Sequence, residues 1–179
     1  MNHERPYFLK TVRLGFGQWR LDDLWLADAL WGDRRVTRLI GGPFSAEQVK
    51  QRLLREIETM QSAGIQYWPL FWLADGDFVG CCGLRPHEPE ARIFAFGYHL
   101  CPAYWGMGVA LEAGQAVIDL AFDERGAAAL FAGHHPENAA SRRVLAKLGF
   151  RFTHEQIYPP TGLMHPSYLL IPQDRVARK

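Results

Sequence analysis

The stretch from Tyr98 to Ala113, YHLCPAYWGMGVALEA, constrains the fold more than any other part of the chain. A short apolar and aromatic run over residues 93–100 predicts a strand, and apolar residues then recur at helical spacing. Gly106 and Gly108 therefore lie where a helix begins. Because the first N–H groups of a helix lack partners and carry partial positive charge, this loop is a natural site for a phosphate or diphosphate.

Two known phosphate-binding motifs can be compared with this loop. A dinucleotide-binding fingerprint requires a third glycine, where this chain has Leu111, and an acidic residue after the next strand, which ends instead at Gly133-His134. A Walker loop requires Gly-Lys followed by Ser or Thr, and the sequence contains none. Both motifs fit poorly, and taken alone the two glycines also suit a plain strand-to-helix turn.

A second stretch, residues 127–150, predicts another strand, loop and helix. A small apolar strand over 127–132 leads into the segment HHPENAASRRVLAKLGF. Asn138 can cap the helix that follows, and Gly149 can end it. The helix would carry an apolar stripe formed by Val144, Leu145 and Leu148.

With these two motifs, the chain resembles the GNAT N-acetyltransferases, specifically their RimJ/RimL-like branch. The matching patterns are Tyr-Trp-Gly-x-Gly-x-Ala-x-Glu-Ala, from residue 104, and Pro-Glu-Asn-x-x-Ser-Arg-Arg-Val-Leu-x-Lys-Leu-Gly-Phe, from residue 136. The resemblance implies an α/β (α+β) fold with a mixed, mostly antiparallel sheet of about seven strands, splayed at strands 4 and 5. About four helices would flank the sheet, in a single domain over residues 1–179.

The resemblance also implies acetyl-CoA as the cofactor. Backbone N–H groups from Met107 to Ala110 would hold its diphosphate, and strand backbone near Leu100, exposed by the splay, would pair with the pantetheine arm. Many members begin this loop with Gln or Arg, whereas Trp105 stands here, as is usual in the RimJ/RimL-like branch. The implied cofactor-binding residues are Leu100, Trp105, Gly106, Met107, Gly108, Val109, Ala110, Asn138, Ser141 and Arg142.

Three residues are candidates for catalysis: Tyr98, His134 and Ser141. The resemblance implies the roles of Tyr98 and Ser141. A backbone N–H near Tyr98 would polarise the thioester carbonyl. Many members protonate the leaving thiolate with a Tyr, at the position that Leu145 holds here. Ser141 is the substitute that the branch suggests, and its alternative role is to help cap the helix.

The general base is where this chain departs from the family pattern. Relatives often carry Glu at the position of Ala95, so no carboxylate remains on that face of the strand. The nearest ionisable groups in sequence are His99, His134, His135 and Glu137. His134 acting through water is the hypothesis, against a structural histidine that bonds backbone. His134 and His135 cannot both face the cleft if the strand continues that far. A site short of carboxylates favours a weakly basic acceptor, such as a peptide α-amine.

Periodicity and turn signals predict the remaining elements. The predicted strands are 11–16, 67–73, 78–84, 93–100, 127–132, 151–158 and 166–171, and residues 85–92 are predicted to be a loop. One helix follows Asp23, and a second runs from a capping box at Ser45 and Gln48 to about residue 62. The charged residues of the second helix are expected to be solvated: Glu47, Lys50, Arg52, Arg55, Glu56 and Glu58.

Several aromatic and histidine side chains have two interpretations. In the family, the first two helices form one wall of the acceptor site and the last strands fold back toward it, so these residues could face a substrate. Core packing is the simpler explanation for any one of them. They are Trp25, Trp31, Phe44, Tyr67, His165 and Tyr168.

Composition limits the partners. A formal net charge of +1 gives no general attraction to nucleic acid or to a membrane. Three cysteines form neither a disulfide framework nor a metal-binding pattern, and Cys81 and Cys82 would point to opposite sheet faces. With no leader or long apolar run in view, we expect a cytoplasmic protein, monomeric or homodimeric. The basic end, Arg175, Arg178 and Lys179, is expected to fray.

These observations favour an acetyl-CoA-dependent N-acetyltransferase that acts on a primary amine. The acceptor is a peptide N-terminus or a small molecule, with the peptide α-amine slightly favoured. A non-catalytic domain that binds acyl-CoA is the alternative, because the usual Glu and Tyr are both missing. An unrelated α/β hydrolase is disfavoured, since the chain has no Gly-x-Ser-x-Gly elbow.

Overall fold

The computed structural model describes residues 5–176, which form an eight-stranded sheet with five α-helices. The strands are β1 (Leu9–Lys10), β2 (Leu14–Phe16), β3 (Tyr67–Trp72), β4 (Phe78–Glu88), β5 (Ile93–Leu100), β6 (Ala129–Gly133), β7 (Arg151–Tyr158) and β8 (Leu163–Leu170). The helices are α1 (Leu24–Trp31), α2 (Arg34–Thr37), α3 (Ala46–Ala63), α4 (Val109–Asp119) and α5 (Ala139–Lys147). Across the sheet the strand order is β1-β2-β3-β4-β5-β6-β8-β7.

The sheet is mostly antiparallel, and its one parallel pair creates the site. β5 pairs with β6 only over Ile93–Ala95 and Ala129–Phe131, after which the two strands part. This confirms the predicted splay, which falls at the fifth and sixth strands because the two-residue β1 adds a strand at the edge. The extra helix is α2, a four-residue turn that the periodicity of the sequence did not predict.

Each sheet face carries its own hydrophobic core. On one face, α4 and α5 cover a large cluster that includes Cys82, Phe96 and Leu148. On the other face, α1 and α3 cover a smaller cluster that includes Leu30 and Cys81. The adjacent cysteines therefore point to opposite faces, as predicted from the alternation of a strand.

α3 begins and ends as its sequence predicts. Ser45 and Gln48 form the capping box, with Ser45 Oγ accepting from the Gln48 backbone N–H at 3.2 Å and Gln48 Oε1 accepting from the Ser45 N–H at 2.8 Å. Gly64 ends the helix in the left-handed conformation (φ 68°), where a Cβ would be strained. This long helix forms one wall of the cleft described below.

The strand predicted over 11–16 begins only at Leu14. Two other strands extend at least three residues beyond their predicted bounds, and long-range pairing explains both. β4 continues to Glu88 through the predicted loop, because Arg85 and Pro86 pair with Ala95 and Phe94 of β5. β8 begins at Leu163, three residues early, because Leu163 pairs with Tyr158 of β7.

The last described residues of the chain, up to residue 176, are held in place by side-chain hydrogen bonds. Arg175 was expected to fray, but it donates hydrogen bonds to Asp119 (2.7 Å) and Asp123 (2.6 and 2.9 Å). Arg178 and Lys179 lie outside the described residues. Among residues 5–176, no helix is both long and apolar enough to span a membrane.

Candidate active site

A cleft of about 810 Å³ opens where β5 and β6 part. It extends from the start of α4, on one face of the sheet, toward α3 and β4 on the other. Most of the predicted site residues line it: Tyr98, Leu100, Trp105, Gly106, Gly108, Val109, Ala110, His134, Asn138 and Ser141.

The start of α4 has the properties that a diphosphate requires. Gly108 is the N-cap residue (φ 75°), and no side chain caps the first turn. Gly106 also has a positive φ of 75°, and no heavy atom beyond its chain neighbours lies within 4 Å of the position that a Cβ would take. The N–H groups of the first turn therefore face open space beside a backbone without side chains, which suits the diphosphate of acetyl-CoA.

This loop is stabilised by an ion pair that the sequence did not indicate. Arg13, at the end of the β1–β2 turn, donates from Nε to Glu112 Oε2 (2.6 Å) and from Nη1 to the Met107 carbonyl (3.0 Å). Thr11 Oγ1 and the Arg13 backbone N–H also donate to Glu112. Because these donors engage Glu112, its negative charge in the first turn of α4 is compensated and does not oppose an incoming phosphate.

The start of α5 brings two predicted catalytic residues into contact. The Asn138 side chain accepts a hydrogen bond from the Ser141 N–H (3.0 Å) and so caps the helix as predicted. The Tyr98 and Ser141 hydroxyl oxygens are 3.0 Å apart. Burial raises the pKa of Tyr98 to about 12, and the hydrogen bond to Ser141 opposes that shift, so both hydroxyls keep their protons at neutral pH.

His134 and His135 both line the cleft, because β6 ends at Gly133 and strand alternation no longer applies. His134 Nδ1 lies 2.7 Å from the His135 carbonyl and therefore carries the proton. Its Nε2 lies 3.1 Å from the Tyr168 hydroxyl. Burial lowers the pKa of His134, so its ring is neutral at pH 7.

Two arginines, Arg85 and Arg52, lie at one end of the cleft, and α3 and β4 form this end. Arg85 donates from Nε (3.0 Å) and Nη2 to Glu56, and its guanidinium stacks 4.0 Å from the centre of the Tyr67 ring. The Glu56 side chain is fully buried and also accepts from the Tyr67 backbone N–H at 2.8 Å. Arg52, one helical turn before Glu56, lies half-buried in the cleft wall.

The expectation that all charged side chains of α3 are solvated was therefore wrong for Glu56 and Arg52. Glu56 falls on the buried stripe of the helix, at the spacing i, i+4, i+7 after Val49 and Leu53. A carboxylate on such a stripe is the sequence signal that would have indicated a buried ion pair. Its partner, Arg85, lies 29 residues away and was predicted to be in a loop.

Some predicted residues occupy other positions. Arg142 is exposed and outside the cleft lining, whereas Arg143 and Lys147 line it. The Met107 side chain is exposed, which leaves only its backbone for the predicted role. Trp105 lines the cleft and donates from its indole N–H to the Leu100 carbonyl at 2.9 Å, linking the loop to β5.

The aromatic and histidine residues that could face a substrate divide into those that line the cleft and those that do not. Tyr67 lines the cleft, as does His165, whose Nε2 lies 2.8 Å from Thr161 Oγ1. Trp31 is fully buried and donates to His99 Nδ1 (3.1 Å), so it belongs to the core. Trp25 is 70% exposed, Phe44 packs against the smaller core, and Tyr168 reaches the site through His134.

Comparison with known proteins gives the family. Residues 13–151 match the family model described as an acetyltransferase (GNAT) domain. The chain therefore belongs to the GNAT acetyltransferases, which are acyltransferases that use acetyl-CoA. The protein described as uncharacterized protein YkkB from Bacillus subtilis (strain 168) is 29% identical over 154 residues, covering 86% of this chain and 89% of YkkB.

Solved acetyltransferases share the fold. A GNAT-family acetyltransferase from Bacillus anthracis superposes with a TM-score of 0.80 at 22% identity, covering 92% of this chain and 98% of that one. RimL, the ribosomal L7/L12 alpha-N-protein acetyltransferase, in complex with coenzyme A, gives a TM-score of 0.79 at 16% identity, covering 93% and 98%. At these identities the likeness establishes the fold alone.

Proposed function

We propose that this acetyltransferase moves the acetyl group of acetyl-CoA directly to a primary amine, with the α-amine of a peptide or protein favoured over a small-molecule amine. Acetyl-CoA supplies the acetyl thioester when bound. The observation that carries the proposal is the cleft that joins the uncapped start of α4 to the paired hydroxyls of Tyr98 and Ser141. The structural neighbour RimL is an alpha-N-protein acetyltransferase, which supports the choice of an α-amine.

The residues around the cofactor divide into binding and orienting groups. The N–H groups from Met107 to Ala110 bind the diphosphate, and Gly106 lets it approach the backbone. Trp105 holds the end of β5 in place through the Leu100 carbonyl. Asn138 fixes the start of α5, which places the Ser141 hydroxyl, whereas Arg142 in the same turn is exposed outside the cleft lining.

Ser141 is the proposed proton donor to the leaving sulfur, with the Tyr98 hydroxyl behind it. A thiol with a pKa of about 8.5 leaves fairly well without help, so we expect Ser141→Ala to lower kcat by roughly tenfold and to leave CoA affinity unchanged. Initial rates at saturating acetyl-CoA measure this. Ser62→Ala, an exposed serine on α3, is the control. An unchanged kcat in Ser141→Ala would remove the residue from the chemistry.

His134 is the proposed base, receiving the proton of the amine through water. Because burial lowers its pKa from the ordinary value near 6.5, His134 titrates below that pH and adds no inflection above it. We therefore expect kcat/KM to rise with pH and to level off near the pKa of the acceptor, about 8 for a peptide α-amine. A profile measured between pH 6 and 10 that inflects at one pH for α-amine and lysine acceptors alike would contradict this assignment.

The choice of acceptor has its own test. At pH 7 about a tenth of a peptide α-amine is neutral, whereas a lysine side chain with a pKa near 10.4 is almost fully charged. We expect a peptide with a free N-terminus to be acetylated at least about a hundredfold faster than an N-blocked peptide that contains one lysine. Comparable rates would refute the α-amine preference, and CoA binding without transfer to any amine would indicate a non-catalytic domain.

A further inference from the structure

We propose that the acceptor carries a carboxylate close to its reacting amine, and that Arg52 and Arg85 bind this carboxylate at the α3 and β4 end of the cleft. The inference rests on the proposed function, since it names the substrate class of the same site. The carboxylate belongs either to a free amino acid or to an acidic residue at a peptide N-terminus.

The charges that line the cleft are the first observation. Among the described residues, the cleft lining contains no Asp or Glu, but it contains six cationic side chains: Arg35, Arg38, Arg52, Arg85, Arg143 and Lys147. Arg143 and Lys147 belong to α5, at the cofactor end. The remaining four lie on α2, on the segment after it, on α3 and on β4, and so surround the acceptor end.

Two of the three guanidinium nitrogens of Arg85 form hydrogen bonds within the protein. Its Nε and Nη2 both donate to Glu56, and the Tyr67 ring lies beneath it. Among residues 5–176, no hydrogen bond forms from Nη1. Arg85 is also the cross-strand partner of Ala95, on the same sheet face.

Arg52 has no carboxylate partner of its own in the described chain. Its guanidinium packs over the rings of Trp31 (5.3 Å) and Phe44 (5.0 Å), and its Nε is buried without a hydrogen-bond partner. Burial lowers the pKa of Arg52, and the nearby charge of Arg85 lowers it further. Arg52 nevertheless lines the cleft, and a guanidinium without a carboxylate partner suits a carboxylate ligand.

The balance of charge at this end points to the same class of acceptor. Of the four arginines at this end, Glu56 compensates Arg85 and Asp33 compensates Arg35, which leaves the half-buried Arg52 and the exposed Arg38 without a carboxylate partner among residues 5–176. An amine without a negative group would be repelled there, because its ammonium form carries the same sign. A carboxylate beside the amine removes the repulsion, while the cationic surroundings disfavour the protonated amine.

Matched acceptors test the inference. We would measure kcat/KM, calculated on the concentration of neutral amine, for two pairs of acceptors. The first pair is a peptide amide that begins with Asp and the same peptide that begins with Asn. The second pair is glycine and glycinamide. We expect the acidic member of one pair to be preferred at least tenfold, as charged hydrogen bonds commonly provide. Preference in the peptide pair identifies an acidic N-terminus as the source, and preference in the glycine pair identifies a free amino acid.

Variants connect that preference to the two arginines. Arg52→Gln should reduce it to near unity while CoA affinity and thermal stability stay unchanged, and Arg85→Gln should do the same with some loss of stability. Arg55→Gln, exposed on α3, is the matched control and should keep the preference. Equal rates within both pairs, or a preference that survives Arg52→Gln, would overturn the inference while leaving the proposed function standing. Absence of transfer to every amine would refute the proposed function and the inference together.

Discussion

Gly106→Val should weaken CoA binding at least about a hundredfold. The residue has a φ of 75°, which costs a β-branched side chain about 1–3 kcal/mol, so the loop must move or remain strained. The new side chain would also fill the open space in front of the first turn of α4, where charged hydrogen bonds contribute about 1.5–3 kcal/mol each. Since about 1.4 kcal/mol corresponds to a factor of ten, the loss of two such hydrogen bonds exceeds two decades in Kd, whereas strain that is present with and without CoA lowers stability instead. Isothermal titration with CoA measures it.

The chain contains a matched control for this substitution. Gly76, in the turn between β3 and β4, has a φ of 80° and likewise no heavy atom beyond its chain neighbours within 4 Å of a Cβ position. Gly76→Val should therefore introduce similar strain without reaching the cleft. CoA affinity that falls equally in both variants, or in neither, would contradict a diphosphate site at the start of α4.

Glu56→Ala should lower the free energy of unfolding by about 3–5 kcal/mol. Removing one partner of a buried ion pair leaves the other charge without compensation, and that is among the most destabilising single changes. Here the loss is compounded because Glu56 also accepts the backbone N–H of Tyr67, at the first residue of β3. Urea denaturation of the wild-type and Glu56→Ala proteins gives the difference in unfolding free energy. The same data check that the two proteins share one m value.

Glu58→Ala is the corresponding control on the same helix. Its side chain is exposed, so we expect a change within about 0.5 kcal/mol. A Glu56→Ala protein as stable as the Glu58→Ala protein would mean that the pair with Arg85 adds nothing. The role of Arg85 at the acceptor end would then lack its structural support.

Local sequence signals predicted much of this protein. The start of α4 at the glycine loop, the Asn138 cap of α5 and the Ser45–Gln48 capping box all depend on residues within a few positions of one another. Such short-range chemistry is visible without any knowledge of tertiary contacts. The resemblance to the GNAT family added the mixed, mostly antiparallel sheet and its splay.

The rest depends on contacts between distant segments. The Arg85–Glu56 pair joins residues 29 apart, and the Arg13–Glu112 pair joins residues 99 apart. No periodicity in either segment indicates its partner. The same limit explains β4, whose last residues are polar and include a proline, yet pair with β5 across the sheet. Pairing there overrides the local preference for a loop.

The central claim is that the cleft between β5 and β6 holds acetyl-CoA, with its diphosphate on the start of α4. A crystal structure of this chain with coenzyme A tests it most directly. We expect the diphosphate to accept hydrogen bonds from N–H groups between residues 106 and 110, and the sulfur to lie within hydrogen-bonding distance of Ser141 Oγ. A diphosphate bound elsewhere, or a cleft that stays closed to saturating coenzyme A, would contradict the account.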